Sequence, residues 1–252
     1  MTTPSITLQF HPNWPYDGGM VIDAMAATGV YRSQFETGIS NGGRTAFVGG
    51  ARWHWESRLF DGRYDDADAS ARPVYGAWNR RNDPYGGAIR FGSSYVRLRP
   101  EAIGRTTFCF PDSSLNPADV GGPELLGHLA LLADASGLDD LDNCVEAQVH
   151  GGVTFDHDVE AIVLDPSFAG TSVEMAARRL GCPVEFHPGF VVTPDDLDPE
   201  YRGQNIVTLA RSLGEVLTPE LLGRSARRYV HPPQELKQVW HCLARFGRSP
   251  QA

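Results

Sequence analysis

The stretch Glu146-Ala147-Gln148-Val149-His150, preceded by Cys144-Val145, alternates functional with small apolar side chains. A two-residue period belongs to a β-strand, with Glu146, Gln148 and His150 on one face and Val145, Ala147 and Val149 on the other. A solvent-facing edge strand carries the same pattern, so its meaning depends on the segments around it.

Upstream, residues 74–110 are rich in aromatics, serine and glycine. They read as three strand-like segments: Tyr75-Gly76-Ala77-Trp78, Ile89-Arg90-Phe91-Gly92-Ser93-Ser94-Tyr95-Val96-Arg97-Leu98 and Thr106-Thr107-Phe108-Cys109-Phe110. Residues 124–135 form a leucine-rich helix. Nearer the N-terminus, Ile6, Leu8 and Phe10 alternate as a strand, residues 19–27 have helical spacing that stops at Gly29, and Val30-Tyr31-Arg32-Ser33-Gln34-Phe35 alternates as a second strand. Residues 37–43 read as a glycine-rich loop, and residues 61–72, polar and acidic, as the most mobile one. Downstream come a segment at 154–164, a helix capped by Thr171 or Ser172 and stopped by Gly181, a short strand at Val184–Phe186, and helices at 206–214, 219–229 and 234–246. The expected fold class is α+β: a mixed or antiparallel sheet with flanking helices and a helical C-terminal third. It forms one domain over residues 1–252, with 195–252 a helical extension packed on it.

Composition narrows the function. The 252 residues are 41% hydrophobic and 21% charged, the balance of a globular protein. No apolar run approaches the ~20 residues of a membrane span, and the N-terminus shows no secretion leader, so a cytoplasmic location is expected. A net charge of -9 argues against nucleic-acid binding through the overall field. Lys237 is the only lysine; the arginine preference first reflects GC-rich coding, yet supplies planar forks suited to phosphate or carboxylate. Cys109, Cys144, Cys182 and Cys242 lie far apart, which excludes a zinc ribbon, disfavours a disulfide framework and suits small buried residues.

The standard phosphate-loop, zinc-helix and dinucleotide-turn motifs are absent. His150 and His157 with Asp156 and Asp158 could be drawn as a metal cluster, but such residues in a turn are more often solvated, and no metal is expected. Gly38-Ile39-Ser40-Asn41-Gly42 matches the nucleophile elbow Gly-x-Ser-x-Gly. The residues after it have no helical period and too few strands precede it, so a glycine-rich turn is the plainer reading. Arg32 in an apolar strand is costly unless an anion or carboxylate relieves it. Phe91-Gly92-Ser93-Ser94 puts two hydroxyls beside a glycine that permits close approach of a ligand. Arg32, Ser93/Ser94 and Glu146 with Gln148 thus lie on three separate strands and are expected to converge on one pocket.

The segments from Gly29 to Gly42, Arg90-Phe91-Gly92-Ser93-Ser94, Arg105 to Ser113 and Glu146-Ala147-Gln148-Val149-His150-Gly151 resemble a bacterial family, domain of unknown function 3626. The resemblance extends over Asp165-Pro166-Ser167-Phe168, His187-Pro188-Gly189-Phe190 and Lys237-Gln238-Val239-Trp240-His241, and it implies no function. More distantly, the chain is similar to ADP-ribosyltransferases, which split NAD at the nicotinamide bond. Their arginine-serine-glutamate class orders its motif as Arg32, Ser93/Ser94 and Glu146 are ordered; the histidine-tyrosine-glutamate class would use His11 with Tyr75 or Tyr85 instead. Gln148 stands where the usual pattern ends in glutamate.

This second resemblance implies an ADP-ribosyltransferase-like fold, NAD as substrate, no metal, and an acceptor that is a protein, a nucleic acid or a small molecule. Glu146 would stabilise the positive charge developing on the ribose, with Gln148 orienting the acceptor. Arg32 would grip the pyrophosphate, the serines would hold the nicotinamide side, and Tyr75 or Phe91 would stack on the ring. The rival expectations are a non-catalytic nucleotide- or protein-binding module on the same fold, and a hydrolase using Ser40. Trp53 and Trp55 read as packing under the acidic loop, and His187 and His241 as structural.

Overall fold

The structure, a computed structural model, describes residues 4–38 and 45–248. Its strands are β1 (Ile6–Phe10), β2 (Pro15–Tyr16), β3 (Gly19–Met20), β4 (Val74–Trp78), β5 (Ser94–Leu98), β6 (Thr106–Cys109), β7 (Val120–Gly121), β8 (Val145–Val149), β9 (Val159–Leu164) and β10 (Val184–Phe186). Its helices are α1 (Val21–Thr28), α2 (Gln34–Thr37), α3 (Ala51–Leu59), α4 (Leu126–Ala135), α5 (Ser172–Arg178), α6 (Pro199–Arg202), α7 (Gln204–Leu213), α8 (Pro219–Ala226) and α9 (Pro233–Phe246). Among the described residues, no helix is long and apolar enough to cross a membrane.

The fold is α+β, built on an eight-stranded mixed sheet of order β10-β9-β5-β1-β4-β8-β6-β7. Only β9 and β10 run parallel; the other pairings are antiparallel. Strand alternation sorts its two faces. Leu8, Val96, Phe108, Val145, Ala147 and Val149 pack with Ile22 and Met25 of α1, Leu129 of α4 and Val173 of α5 in one core. A second core joins Tyr85 and Ile89 to Leu217, Leu222, Val239 and Trp240 of the C-terminal helical region.

Strand β8 is not an edge. It lies between β4 and β6, with Glu146 opposite Ala77 and Cys109, and Gln148 opposite Tyr75 and Thr107. Its polar face is therefore buried, and charge there needs partners. Helix α3 supplies them, turning Arg52 and Glu56 inward at a four-residue spacing. The elements on either side of this site are fixed by local signals. Gly29 ends α1 in the left-handed region, where glycine has no steric penalty (φ 67°).

One sequence-based expectation changes here. Residues 30–35 are not a strand: Val30 makes one isolated bridge to Thr154, and Ser33 then caps α2. The Ser33 hydroxyl accepts from the Glu36 amide at 3.2 Å and the Glu36 carboxylate accepts from the Ser33 amide at 2.8 Å, a reciprocal pair that favours helix over strand. Residues 61–66 are turns and Ala69–Ala71 a short 3-10 helix, and Arg72 just after it is 2% exposed against Glu56.

Candidate functional site

Strands β1 and β4 pair only at Ile6↔Trp78 and Thr7↔Ala77. Beyond that point the Gln9 carbonyl accepts the Tyr31 hydroxyl at 2.9 Å, and the two strands separate. A cavity of about 280 Å³ opens between them, walled by Gln9, Phe10 and His11 on one side and Val74, Tyr75 and Gly76 on the other. Its size is near the lower end of small-molecule sites, ~300–1,000 Å³. Among the described residues, Glu146 is the only carboxylate in its lining, against four cations, Arg32, Arg52, Arg90 and Lys237. Aromatic walls come from Trp14, Tyr16, Tyr31 and Phe91.

Glu146 is 7% exposed, and both carboxylate oxygens have donors. Ser113 donates to Oε2 at 3.1 Å and in turn accepts from Arg52 Nη1 at 2.8 Å. Gln148 Nε2 donates to Oε1 at 2.9 Å. Burial pushes the Glu146 carboxyl above the ordinary carboxylate range, an effect that Arg52 opposes and Asp112 reinforces. Tyr75 lies under the Arg52 guanidinium, 4.5 Å from its ring centroid, and donates to Glu56 at 2.7 Å.

Behind Glu146, hydrogen bonds run in one direction. Tyr64 Oη lies 2.6 Å from His150 Nδ1, and His150 Nε2 lies 3.0 Å from Thr107 Oγ1. Thr107 donates to Gln148 Oε1 at 2.8 Å, and Gln148 donates to Glu146. A neutral His150 with its proton on Nε2 satisfies every link, so each donor points toward the carboxylate. Burial and the nearby Arg63 and Arg105 lower His150 to about 4, which keeps it neutral.

The cavity thus gathers Glu146, Arg32, Tyr75 and His11. Arg32 lies in the loop before α2 and donates to the Tyr16 hydroxyl at 3.2 Å; among the described residues it has no carboxylate partner. His11 stacks on Trp14 with ring centroids 4.4 Å apart. Gln148 is wholly buried outside the lining, so it touches Glu146 rather than an acceptor. Ser93 and Ser94 are also outside the lining, because β1 and β4 lie between β5 and β8. Gly92 makes room for protein rather than ligand: a Cβ there would sit 2.3 Å from the Phe10 amide nitrogen. Ser40 lies outside the described residues. Of the residues that could be drawn as a metal cluster, His150 belongs to the hydrogen-bonded chain and Asp158 pairs with Arg105 at 2.7 Å.

The sequence reading missed Arg52, Glu56, Ser113 and Lys237. The four-residue spacing of Arg52 and Glu56 is a helical signal, but an inward face of charges has no apolar period to reveal it.

Burial also lowers the histidines His11 and His241, each to about 3. These and His150 stay neutral when folded, whereas unfolded histidines take up protons near 6.5. The unfolded state then binds more protons, so the stability they contribute is complete above pH 6.5 and is lost as the pH falls toward about 3–4. Thermal melts should show the melting temperature dropping across this window; a flat profile would contradict the neutral assignment.

No curated protein matches the chain. The family model described as "Protein of unknown function (DUF3626)" matches residues 5–135 and 127–246, and the chain belongs to that family.

Proposed function

We propose that the cavity binds NAD as a substrate and that the chain is an ADP-ribosyltransferase-like enzyme with Glu146 as its electrostatic catalyst. The observation that carries this reading is the one carboxylate, among the described residues, held at the wall of an aromatic, cation-rich cavity. An aromatic ligand with several negative charges suits such walls, and a dinucleotide has both properties.

In this reading the bond between nicotinamide and ribose C1 breaks, and positive charge grows on the sugar. The Glu146 carboxylate stabilises that charge most strongly in the transition state, while Ser113 and Gln148 fix its oxygens. Arg32, free of a carboxylate partner among the described residues, holds the pyrophosphate. Tyr75 and Phe91 offer faces to the rings, and His11 lines the same wall. An acceptor nucleophile on a protein, a nucleic acid or a small molecule then bonds to C1 and releases its proton. The serines have no direct part, and Gln148 acts through Glu146.

A second reading, a nucleotide-binding module without turnover, is favoured by one observation: chain donors already occupy both Glu146 oxygens. Calorimetric titration with NAD followed by chromatography of the mixture separates the two. Binding with free nicotinamide supports the enzyme; binding without it supports the module; no heat of binding overturns both.

A further inference from the structure

Tyr16 and Arg32 both line the cavity, and one hydrogen bond joins them: Arg32 Nη1 donates to the Tyr16 hydroxyl oxygen at 3.2 Å. A guanidinium cannot accept, so the phenol is the acceptor in this contact and its own O–H proton is turned elsewhere. Among the described residues that proton has no acceptor. Arg32 has no carboxylate partner among them either, and its Nε and Nη2 are unpaired without being shut away from solvent. Two touching side chains of the cavity wall thus each hold a donor that the described residues leave unmet.

Tyr16 is held from both ends. It pairs with Gly19 across a two-residue turn, Asp17-Gly18, whose residues sit at φ 50° and 76°, as a tight hairpin of this kind needs. At the root of the hairpin Asn13 is 2% exposed; its Nδ2 donates to the Glu220 carbonyl at 3.0 Å, and Arg227 Nη1 donates to the Asn13 carbonyl. A Cβ on Gly223 would overlap the Asn13 side-chain amide, so α8 fits directly against it. The Val21 amide donates to the Trp14 carbonyl at 3.0 Å, which ties the same arm to α1. A hydroxyl on so fixed a support restrains the long Arg32 side chain, and binding through it then costs less ordering.

An acceptor for this pair takes one hydrogen bond from a phenol and another from a guanidinium. A neutral carbonyl would leave the Arg32 charge unmatched, whereas an anionic oxygen accepts from both and carries the opposite charge. In a nucleotide that oxygen belongs to a phosphoryl group. We propose that Tyr16 and Arg32 form a two-donor grip on a phosphoryl oxygen of the cavity's ligand, with Tyr16 both donating to that oxygen and holding Arg32 in place. The grip rests on the nucleotide reading for its natural ligand, and it adds Tyr16, with α8 behind it, to the binding machinery.

Calorimetric titration with ADP, and with adenosine, which lacks the phosphates, tests the grip without turnover. Tyr16→Phe should weaken ADP binding about tenfold, the loss of one hydrogen bond to a charged group, and adenosine binding by less than about twofold. Arg32→Met should weaken ADP at least as much, and the double variant by less than the product of the two single losses, because the two side chains act together. An ADP affinity that Tyr16→Phe leaves unchanged overturns the grip, as does an equal loss for ADP and adenosine, the result of a disturbed wall. Losses that multiply in full mean two separate contacts and overturn it too. If the wild type does not bind ADP, the grip and the nucleotide reading fall together. If ADP shows the expected losses but no nicotinamide is released from NAD, the catalytic reading fails and the grip stands.

Discussion

Glu146→Gln is expected to slow nicotinamide release from NAD by on the order of 10²–10³-fold, the loss that follows removal of a preorganised electrostatic group. The substitution keeps shape and volume but removes the negative charge that the developing sugar cation needs. Stability should barely move. Ser113 can accept from the new amide as well as from Arg52, and the cost of burying a carboxylate disappears, so the net change stays within about 1 kcal/mol. Paired measurements of nicotinamide release and melting temperature check this, and full release in a folded variant would end the assignment of Glu146. The wild-type pH profile carries the same signature. Only the ionised carboxylate stabilises a cation, and burial raises the Glu146 carboxyl, so activity should fall on acidification through a midpoint above the ordinary carboxylate range.

The sequence revealed β8 and its acid because strand alternation is a local property: Glu146 and Gln148 sit on the face their spacing predicts. It did not reveal what lies over them. Arg52 and Glu56 come from a helix whose inward side is ionic, and Ser113 comes from a turn after β6, so neither has an apolar period that marks it. The strand expected at residues 30–35 rested on alternation alone, whereas the Ser33–Glu36 capping pair was the stronger signal and decided the outcome. Ser93 and Ser94 followed the expected order along the chain, but order does not fix distance. Two intervening strands separate β5 from β8, a consequence of sheet topology that no short motif records.

Arg72→Met should be the most destabilising single change near the site, at about 3–5 kcal/mol, because it strands a buried carboxylate. Glu56 is 0% exposed, and its oxygens accept from Arg72 at 2.6 Å and from the Tyr75 hydroxyl at 2.7 Å. Burial already raises the Glu56 carboxyl, and Tyr75 and Arg72 restrain the rise; without Arg72 it goes higher still. The folded variant then holds a proton that the unfolded chain has released, so its stability should increase as the pH falls toward the ordinary carboxylate range. Glu56→Gln combined with Arg72→Met removes the stranded charge and should recover most of the loss. Urea unfolding of the two variants measures both effects. A loss below about 1 kcal/mol in Arg72→Met would mean that water reaches the pair as it does at a surface. The same pair holds α3 against β4, and α3 carries the Arg52 that reaches Glu146 through Ser113. The single variant should therefore release nicotinamide more slowly even where it remains folded, whereas the double variant, with α3 in place, should regain that rate along with its stability.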